Sequence, residues 1–259
     1  SMAKSEGPKA EAEYDNMRVL QIFIFPAIGG LLFGFDIGAT SVILPQLQDS
    51  VTSGTTWHDL VADSTIIQGA FASSGTIAAM FGSMLVYTIA DTIGRKRTMV
   101  WAGVLYIIGS FFNCLSGDPN FNGTTGLTVL FIGNAFYGFG AGFAMHGVPA
   151  YVGEMAPASI RGFLVSLKEA FVVIGMVLGY AFGFAWEDSP GGWRWTYAMG
   201  GIIAVIFLAG VWFLPRSARW LALTGKSEEA KESLRFVSPK MTDEQMREIL
   251  VAAEDAARE

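Results

Sequence analysis

The sequence is poor in charge and in cysteine. Only 15% of its 259 residues are charged, whereas 52% are hydrophobic and the mean hydropathy is +0.43. An ordinary soluble domain has about a quarter of its residues charged, so this balance excludes that class. Cys114 is the only cysteine, which excludes an intramolecular disulfide. Glycine is abundant instead, with 31 residues, as is typical of closely packed membrane helices.

Recognisable catalytic machinery is also missing from the sequence. It contains no phosphate-binding loop, no cluster of metal ligands and no nucleophile–base pair at a motif spacing. We therefore expect no enzymatic activity, no cofactor and no metal site, and no nucleic-acid partner.

Six hydrophobic runs account for most of the chain, and each is near the ~20 residues that a membrane-spanning helix needs. They predict an all-α membrane protein with six transmembrane helices in a lipid bilayer, at 18–44, 66–90, 98–116, 127–151, 163–186 and 196–214. We expect the first helix to end at Pro45. Residues 1–16 are expected to be disordered, 17–221 to form the bundle and 222–259 to form short cytoplasmic helices. Thr242 and Gln245 have the spacing of a capping box for the last helix.

The cations indicate the orientation of the spans. Of the 17 Lys and Arg residues, all but Arg194 lie in or beside the N-terminus and the loops after the second, fourth and sixth spans. The positive-inside rule then places both termini on the cytoplasmic side, or on the stromal side of a plastid membrane. The sequence does not choose between the plasma membrane and the plastid envelope.

Asp36 is the only charge between Val19 and Leu44 in the first hydrophobic run, and glycines surround it. A carboxylate at membrane depth costs at least ~2.5 kcal/mol, so it is expected to face the bundle interior or a water-filled cavity. Two interpretations follow. Asp36 is a proton- or solute-linked carboxylate in a transport pathway, or it is a neutral group that only fixes helix packing.

The first and fourth spans share a short pattern. Phe33-Gly34-Phe35 with Gly38 and Pro45 recurs as Tyr137-Gly138-Phe139 with Gly142 and Pro149, at a constant offset of 104 residues. This indicates a repeat of three helices. Because three is an odd number, the two copies are predicted to be inverted in the membrane.

The fifth span carries two adjacent charges, Lys168 and Glu169, near its basic end. Successive residues of a helix point about 100° apart, so we expect the two charges not to neutralise each other. Lys168 can extend to the interface, whereas Glu169 lies deeper and is expected to need another partner.

Four motifs in order resemble the sugar porters of the major facilitator superfamily, in their amino-terminal six-helix half. Within that family the sequence is most similar to plastid-type sugar–proton transporters of plants and algae. The motifs are Gly29-Gly30 with Gly34 and Asp36; Asp91 with Gly94-Arg95-Lys96-Arg97; Tyr151 with Glu154, Pro157 and Arg161-Gly162; and Pro215 with Ser217 and Arg219-Trp220-Leu221.

The resemblance implies a fold of two six-helix halves around a central sugar site that opens alternately to each side. It implies sugar contacts at Glu169, Gly34 and Met176, where Glu169 replaces the family's usual glutamine. It also implies a cytoplasmic latch that holds the outward-open state. In this latch, the hairpin after the second span bonds with Glu154 and Arg161. The latch residues are Asp91, Gly94, Arg95, Glu154, Arg161 and Arg219.

The sequence departs from the family at Asn134, where proton-coupled members carry an arginine. An arginine would hold Asp36 ionised by its charge, whereas an asparagine can only hydrogen-bond it. The hypothesis is that Asp36 exchanges its proton nearer neutral pH, or that coupling has moved to Glu169 or His146. His146 is equally well interpreted as a packing residue. Arg216 and Ala218 also depart from the family, so the cytoplasmic charge network is expected to be wired differently.

Three functions remain open at this point. The first is proton-coupled sugar transport, with Asp36, Asn134 and His146 in the proton path. The second is an uncoupled sugar facilitator in which Asp36 is structural. The third is a half-transporter that acts as a sugar receptor or regulator without transport. Six helices with a glycine-rich, polar face are expected to need a partner, either a second copy in a homodimer or a separate carboxy-terminal half.

Overall fold

The structure is a computed structural model, and it describes residues 15–157 and 159–255. Helices are the only regular secondary structure in these ranges, as the sequence predicts. They are α1 (Asn16–Gln48), α2 (His58–Ala62), α3 (Thr65–Ile93), α4 (Arg95–Leu115), α5 (Gly123–Met155), α6 (Arg161–Ala185), α7 (Trp193–Phe213), α8 (Ala218–Leu223), α9 (Ser227–Val237) and α10 (Asp243–Asp255).

Six of these helices, α1 and α3 to α7, are long and apolar enough to cross a membrane. The prediction of six spans is therefore confirmed, although several helices are longer than their hydrophobic runs. α1 continues past Pro45 to Gln48, so the predicted end at Pro45 is wrong. A proline in the last turn removes only one helical hydrogen bond, and Gln46 holds that turn by donating from Nε2 to the carbonyl of Gly183 in α6, at 3.2 Å.

The start of α1 also differs from the prediction. Disorder was expected for residues 1–16, of which 1–14 lie outside the described residues. Asp15 instead caps α1, because its carboxylate accepts hydrogen bonds from the backbone amides of Met17 and Arg18, at 2.9 and 3.5 Å. A side-chain acceptor at this position satisfies amides that have no partner within the helix.

Close packing between α1 and α6 depends on two glycines of α1. A Cβ added at Gly34 would lie 1.9 Å from the carbonyl oxygen of Val172, and one added at Gly38 would lie 2.1 Å from that of Met176. Only glycine lets the two backbones approach this closely.

The same contact recurs between α5 and α3. A Cβ at Gly138 would lie 2.2 Å from the carbonyl oxygen of Gly75, and one at Gly142 would lie 2.4 Å from that of Ala79. The two pairs of contacts lie at equivalent positions. The glycines of α5 follow those of α1 by 104 residues, and the residues that they meet in α3 precede those in α6 by 97 residues. The predicted repeat of three helices is thus present in the packing, with α1, α3 and α4 matched by α5, α6 and α7.

One end of the bundle, which we call the Trp193 end, is closed by side chains that join its loops. The Trp193 ring is fully buried, stacks edge-on against Trp57, and donates from Nε1 to the carbonyl of Ser53, at 2.8 Å. Arg194 donates to the carbonyls of Gly54 and Gly117. Arg194, the single Lys or Arg at this end among the described residues, therefore ties three loops together.

The other end, which we call the basic end, carries α8, α9 and α10. Thr242 and Gln245 form the predicted capping box: the Thr242 amide donates to Gln245 Oε1, at 3.0 Å, and the Gln245 amide donates to Thr242 Oγ1, at 3.3 Å. α9 returns to the start of α1, where Arg18 donates to the carbonyl of Phe236, at 3.1 Å. These short helices are thereby attached to the bundle.

The glycine contacts predict a large difference between two substitutions in α5. Gly142→Ala places a methyl group against the α3 backbone, whereas Gly153→Ala meets nothing within 4 Å. Overpacking of this kind costs about 1–3 kcal/mol. We expect Gly142→Ala to lower the thermal unfolding temperature of the detergent-solubilised protein by several degrees and Gly153→Ala to leave it unchanged or raise it. Equal effects would contradict the packing described here.

Candidate functional site

Asp36 lies in the middle of α1 and is half-buried. Its Oδ2 atom faces α3, where a Cβ added at Gly75 would lie only 2.9 Å away. In the described part of the chain, no Lys, Arg or His forms an ion pair with this carboxylate, and no side chain hydrogen-bonds it. Asp36 is therefore a membrane-depth carboxylate without a counter-ion among the described residues.

Asn134 does not hydrogen-bond Asp36, contrary to the expectation from sequence. Its amide donates to Ser74 Oγ of α3 and accepts from Asn113 Nδ2 of α4, both at 3.0 Å. The asparagine is buried, and side chains of α3 and α4 supply its hydrogen-bond partners. The network nevertheless ends at Ser74, which directly precedes the glycine that faces Asp36.

Two tyrosines brace the part of α1 that precedes Asp36. The Tyr106 hydroxyl donates to the carbonyl of Gly29, at 3.1 Å, and the Tyr137 hydroxyl donates to that of Leu32, at 3.0 Å. In an α-helix the carbonyl of Leu32 is also the acceptor for the amide of Asp36. From the sequence, neither tyrosine is assigned a role beside Asp36, because an aromatic residue in an apolar helix is indistinguishable from an ordinary core residue.

Lys168 and Glu169 form an ion pair, with Lys168 Nζ 2.7 Å from Glu169 Oε1. The expectation that adjacent residues could not neutralise each other is wrong, because both side chains are long enough to bend across the 100° between them. Their environments are opposite. The Lys168 side chain is 7% exposed and the Glu169 side chain 64%, so the lysine does not extend to the interface and the glutamate lies on the open face of α6.

The remaining predicted central residues lie around α1, α5 and α6. The His146 ring of α5 stacks edge-on against Tyr87 of α3, with ring centroids 6.0 Å apart. Gly34 faces the backbone of α6, while Met176 is partly exposed. The structure thus gives Gly34 a packing contact, and its contact with a sugar stays a prediction, as does that of Met176.

Arg95 connects two carboxylates at the basic end. Its Nε atom lies 2.8 Å from Glu154 Oε1 of α5, and its Nη1 atom lies 2.6 Å from Asp91 Oδ1 of α3. Gly94 makes the turn between α3 and α4 with φ = +86°, a conformation that favours glycine. The sequence predicted that these residues form one cluster, and the structure places them together.

Ser217 and Trp220 extend this cluster to α8. The Ser217 hydroxyl donates to Glu154 Oε2 and accepts from the Trp220 amide, so one side chain both caps α8 and binds the bundle. The Trp220 ring covers Gly94, and its Nε1 donates to the carbonyl of Asp91, at 2.7 Å. Sequence reasoning quoted both residues in a motif but assigned neither a role.

Arg161 and Arg219 do not join the cluster in this structure. Arg161 donates from Nε and Nη2 to the carbonyl of Ala156, at 3.4 and 3.3 Å. Arg219 is exposed and forms no ion pair with any residue in 15–157 or 159–255. Arg216 instead pairs with Glu229 of α9, at 3.2 Å; that this wiring differs from the family's stays a prediction.

The chain belongs to the sugar transporter family. The family model described as sugar (and other) transporter matches residues 22–259. The protein named D-xylose-proton symporter-like 3, chloroplastic, from Arabidopsis thaliana, is 41% identical over 93% of this chain. The glucose transporter GlcP of Staphylococcus epidermidis is 33% identical over 83% of the chain.

A solved structure shows the same fold. The major facilitator superfamily proton:xylose symporter XylE, bound to 6-bromo-6-deoxy-D-glucose, matches 93% of this chain with a TM-score of 0.80 and 25% identity. The six spans are therefore the amino-terminal half of a major facilitator fold. The chain spans 42% and 44% of the lengths of the two curated relatives and 54% of the XylE chain.

The contacts of Ser217 predict that Ser217→Ala weakens the attachment of α8. The variant loses the cap of α8 and a hydrogen bond to Glu154 together, and the cap alone is worth about 1 kcal/mol. Thr88→Ala is the matched control, since that hydroxyl bonds only to the carbonyl of Leu85 in its own helix. We expect a lower unfolding temperature for Ser217→Ala alone; an equal change in both variants would show that the contact is unimportant.

Proposed function

We propose that this chain supplies one six-helix half of a secondary transporter that couples sugar movement to protons by alternating access. The observation that carries the proposal is Asp36, a carboxylate inside a six-span bundle with no counter-ion in the described residues. Ionisable residues at membrane depth are costly and are retained mainly where they serve ion or substrate pathways.

Proton binding gives such a carboxylate two states with different interaction energies. The ionised form needs water or polar groups around it, whereas the protonated form tolerates a closed, dry site. Opening and closing of the transport pathway would therefore be linked to proton binding at Asp36. Support for a proton as the coupling ion comes from relatives that are named proton symporters.

Glu169 is proposed as the principal sugar contact, because its carboxylate lies on the open face of α6 and can accept hydrogen bonds from sugar hydroxyls. Met176 lies on the same helix two turns away and is proposed to contact the ring, with Gly34 opposite on α1. The relatives named for D-xylose and glucose favour a pentose or hexose as the substrate class. His146 is proposed as a secondary polar contact.

The basic end is proposed to act as the latch. Arg95, with Asp91 and Glu154, joins α3 and α4 to α5, and Ser217 adds α8 to the same carboxylate. Partly exposed ion pairs of this kind can form in one transport state and break in another. Arg161 and Arg219 are proposed to join this network when the bundle changes state. Gly94 permits the turn on which Arg95 sits.

A second six-helix half is proposed to cover the face that carries Glu169. The relatives are about twice as long as the matched region, which favours a carboxy-terminal half over a second copy of this chain. By the positive-inside rule, the basic end and both termini are proposed to face the cytoplasm or stroma. The chloroplastic relative supports a plastid envelope, and the plasma membrane is the alternative.

An uncoupled sugar facilitator is the second candidate function. It is favoured by Asn134, whose hydrogen bonds to Asn113 and Ser74 leave it without a contact to Asp36. In that case Asp36 only fixes the packing of α1 against α3, and sugar would equilibrate without regard to a proton gradient.

Substitution of Asp36 separates the two functions. In liposomes that contain the transporter assembled from this half and its partner, Asp36→Asn is expected to abolish sugar accumulation driven by a pH gradient while sugar exchange continues. Neutral asparagine cannot bind and release the proton. Asp63→Asn, at an exposed loop position, is the control. Accumulation by Asp36→Asn equal to that of the unmodified protein would exclude coupling at Asp36.

Gly75→Ala tests the space around the carboxylate. The added methyl group would lie 2.9 Å from Asp36 Oδ2 and force it to move, whereas Gly69→Ala on the same helix meets nothing within 4 Å. We expect Gly75→Ala to shift the pH dependence of uptake and Gly69→Ala to leave it unchanged. The measurement is the initial rate of sugar uptake over a range of external pH. Identical pH profiles for Gly75→Ala and Gly69→Ala would contradict the assignment of the proton site to Asp36.

A further inference from the structure

Lys168 lies in the interior of the bundle, at a position where a free cation would be costly. Its side chain is 7% exposed. The Cγ atom of its stem lies against α1, 3.3 Å from where a Cβ at Gly30 would be, and its Nζ atom lies 3.9 Å from Met145 Sδ of α5. The stem thus packs against a glycine of α1 and the ammonium against a thioether of α5, and neither neighbour carries charge.

Glu169 is the one carboxylate within ion-pair distance of Lys168 among residues 15–157 and 159–255. The ammonium has three donors, and the only other acceptor near it there is a thioether, which accepts hydrogen bonds weakly. A buried charge of this kind is tolerated when it is paired, and removal of its partner leaves it uncompensated. The ion pair therefore restricts the position of the Glu169 side chain as well as that of Lys168.

We infer that Lys168 is a positioning residue that holds the Glu169 carboxylate in a fixed orientation on the open face of α6, as a hydrogen-bond acceptor for a sugar hydroxyl. This inference rests on the proposed function. Glu169 is thus occupied by an ion pair with Lys168, whereas Asp36 has no such partner in the described residues. The two membrane-depth carboxylates then have separate tasks, with the sugar at Glu169 and the proton at Asp36.

The difference between the two sites is visible in their surroundings. Glu169 has an ammonium at 2.7 Å, whereas Asp36 faces a glycine and has no cation in the described residues. Another titratable group in this region, His146, follows Met145 on α5 but stacks against Tyr87 of α3. It contributes no ion pair to either carboxylate within those residues.

Four variants of the assembled transporter test the inference: Lys168→Met, Lys168→Arg, Glu169→Gln and the double variant Lys168→Met with Glu169→Gln. We expect Lys168→Met to raise the KM for sugar about tenfold with a smaller change in kcat, because the acceptor loses its orientation. Lys168→Arg is expected to keep the KM close to that of the unmodified protein. The double variant is expected to be no worse than Glu169→Gln alone, since residues that act as a pair are not additive.

A purely structural lysine would give a different result. Lys168→Met would then reduce the amount of folded protein and the kcat while the KM stayed unchanged, and this outcome would overturn the inference. So would additive effects in the double variant. If Lys168→Met does not fold, the double variant replaces it, since it removes both charges together, and a KM well above that of Glu169→Gln would again overturn the inference.

The same assays keep the inference distinct from the proposed function. An absence of saturable sugar uptake by the unmodified transporter would overturn both. Normal uptake with an unchanged KM in Lys168→Met would overturn only the role of Lys168. Normal uptake without dependence on a pH gradient would overturn the proposed proton coupling, and with it the proton site at Asp36, but not the role of Lys168.

Discussion

Compensation of charge in a medium without water governs most of this structure. Three carboxylates illustrate the range of solutions. Glu154 binds a guanidinium and a hydroxyl at the basic end, and Glu169 binds an ammonium that is itself buried. Asp36 has no cation in the described residues and faces a glycine. The missing partner is the observation on which the proposed proton site rests.

Close helix contacts make that arrangement possible. The glycines that bring α1 onto α6, and α5 onto α3, let backbones meet without side chains between them. The same approach leaves Asp36 beside Gly75 with little free space. Tyr137 braces the preceding turn of α1 through the carbonyl of Leu32, so the backbone that carries Asp36 is fixed, although no cation in the described residues pairs with its carboxylate. A small displacement between helices would therefore change its surroundings considerably.

The sequence was sufficient to predict features that depend on local patterns and on the order and length of the hydrophobic runs. The six spans, the capping box at Thr242 and Gln245, and the offset of 104 residues between α1 and α5 all follow from local patterns, and the structure contains each of them. The cluster of Arg95 and Glu154 followed from the resemblance to the sugar porters, whose motifs imply this pairing, and the structure brings the two residues together.

Properties that depend on which side chains meet inside the bundle could not be predicted in this way. The pairing of Lys168 with Glu169 depends on side-chain length and on the lack of any other acceptor nearby. Likewise, Asn134 is bound by residues of α3 and α4 whose register the sequence does not show. Two polar residues at similar predicted depth can still face different neighbours, and only the packed structure distinguishes them.

The protonation state of Asp36 is the quantity that tests this account most directly. Difference infrared spectroscopy of the assembled transporter, titrated with sugar present and absent, detects the carbonyl stretch of a protonated carboxylic acid. The account predicts a band that disappears in Asp36→Asn and persists in Glu169→Gln. A band that persists in Asp36→Asn and disappears in Glu169→Gln would contradict it, as would the absence of any protonated carboxyl throughout the neutral range.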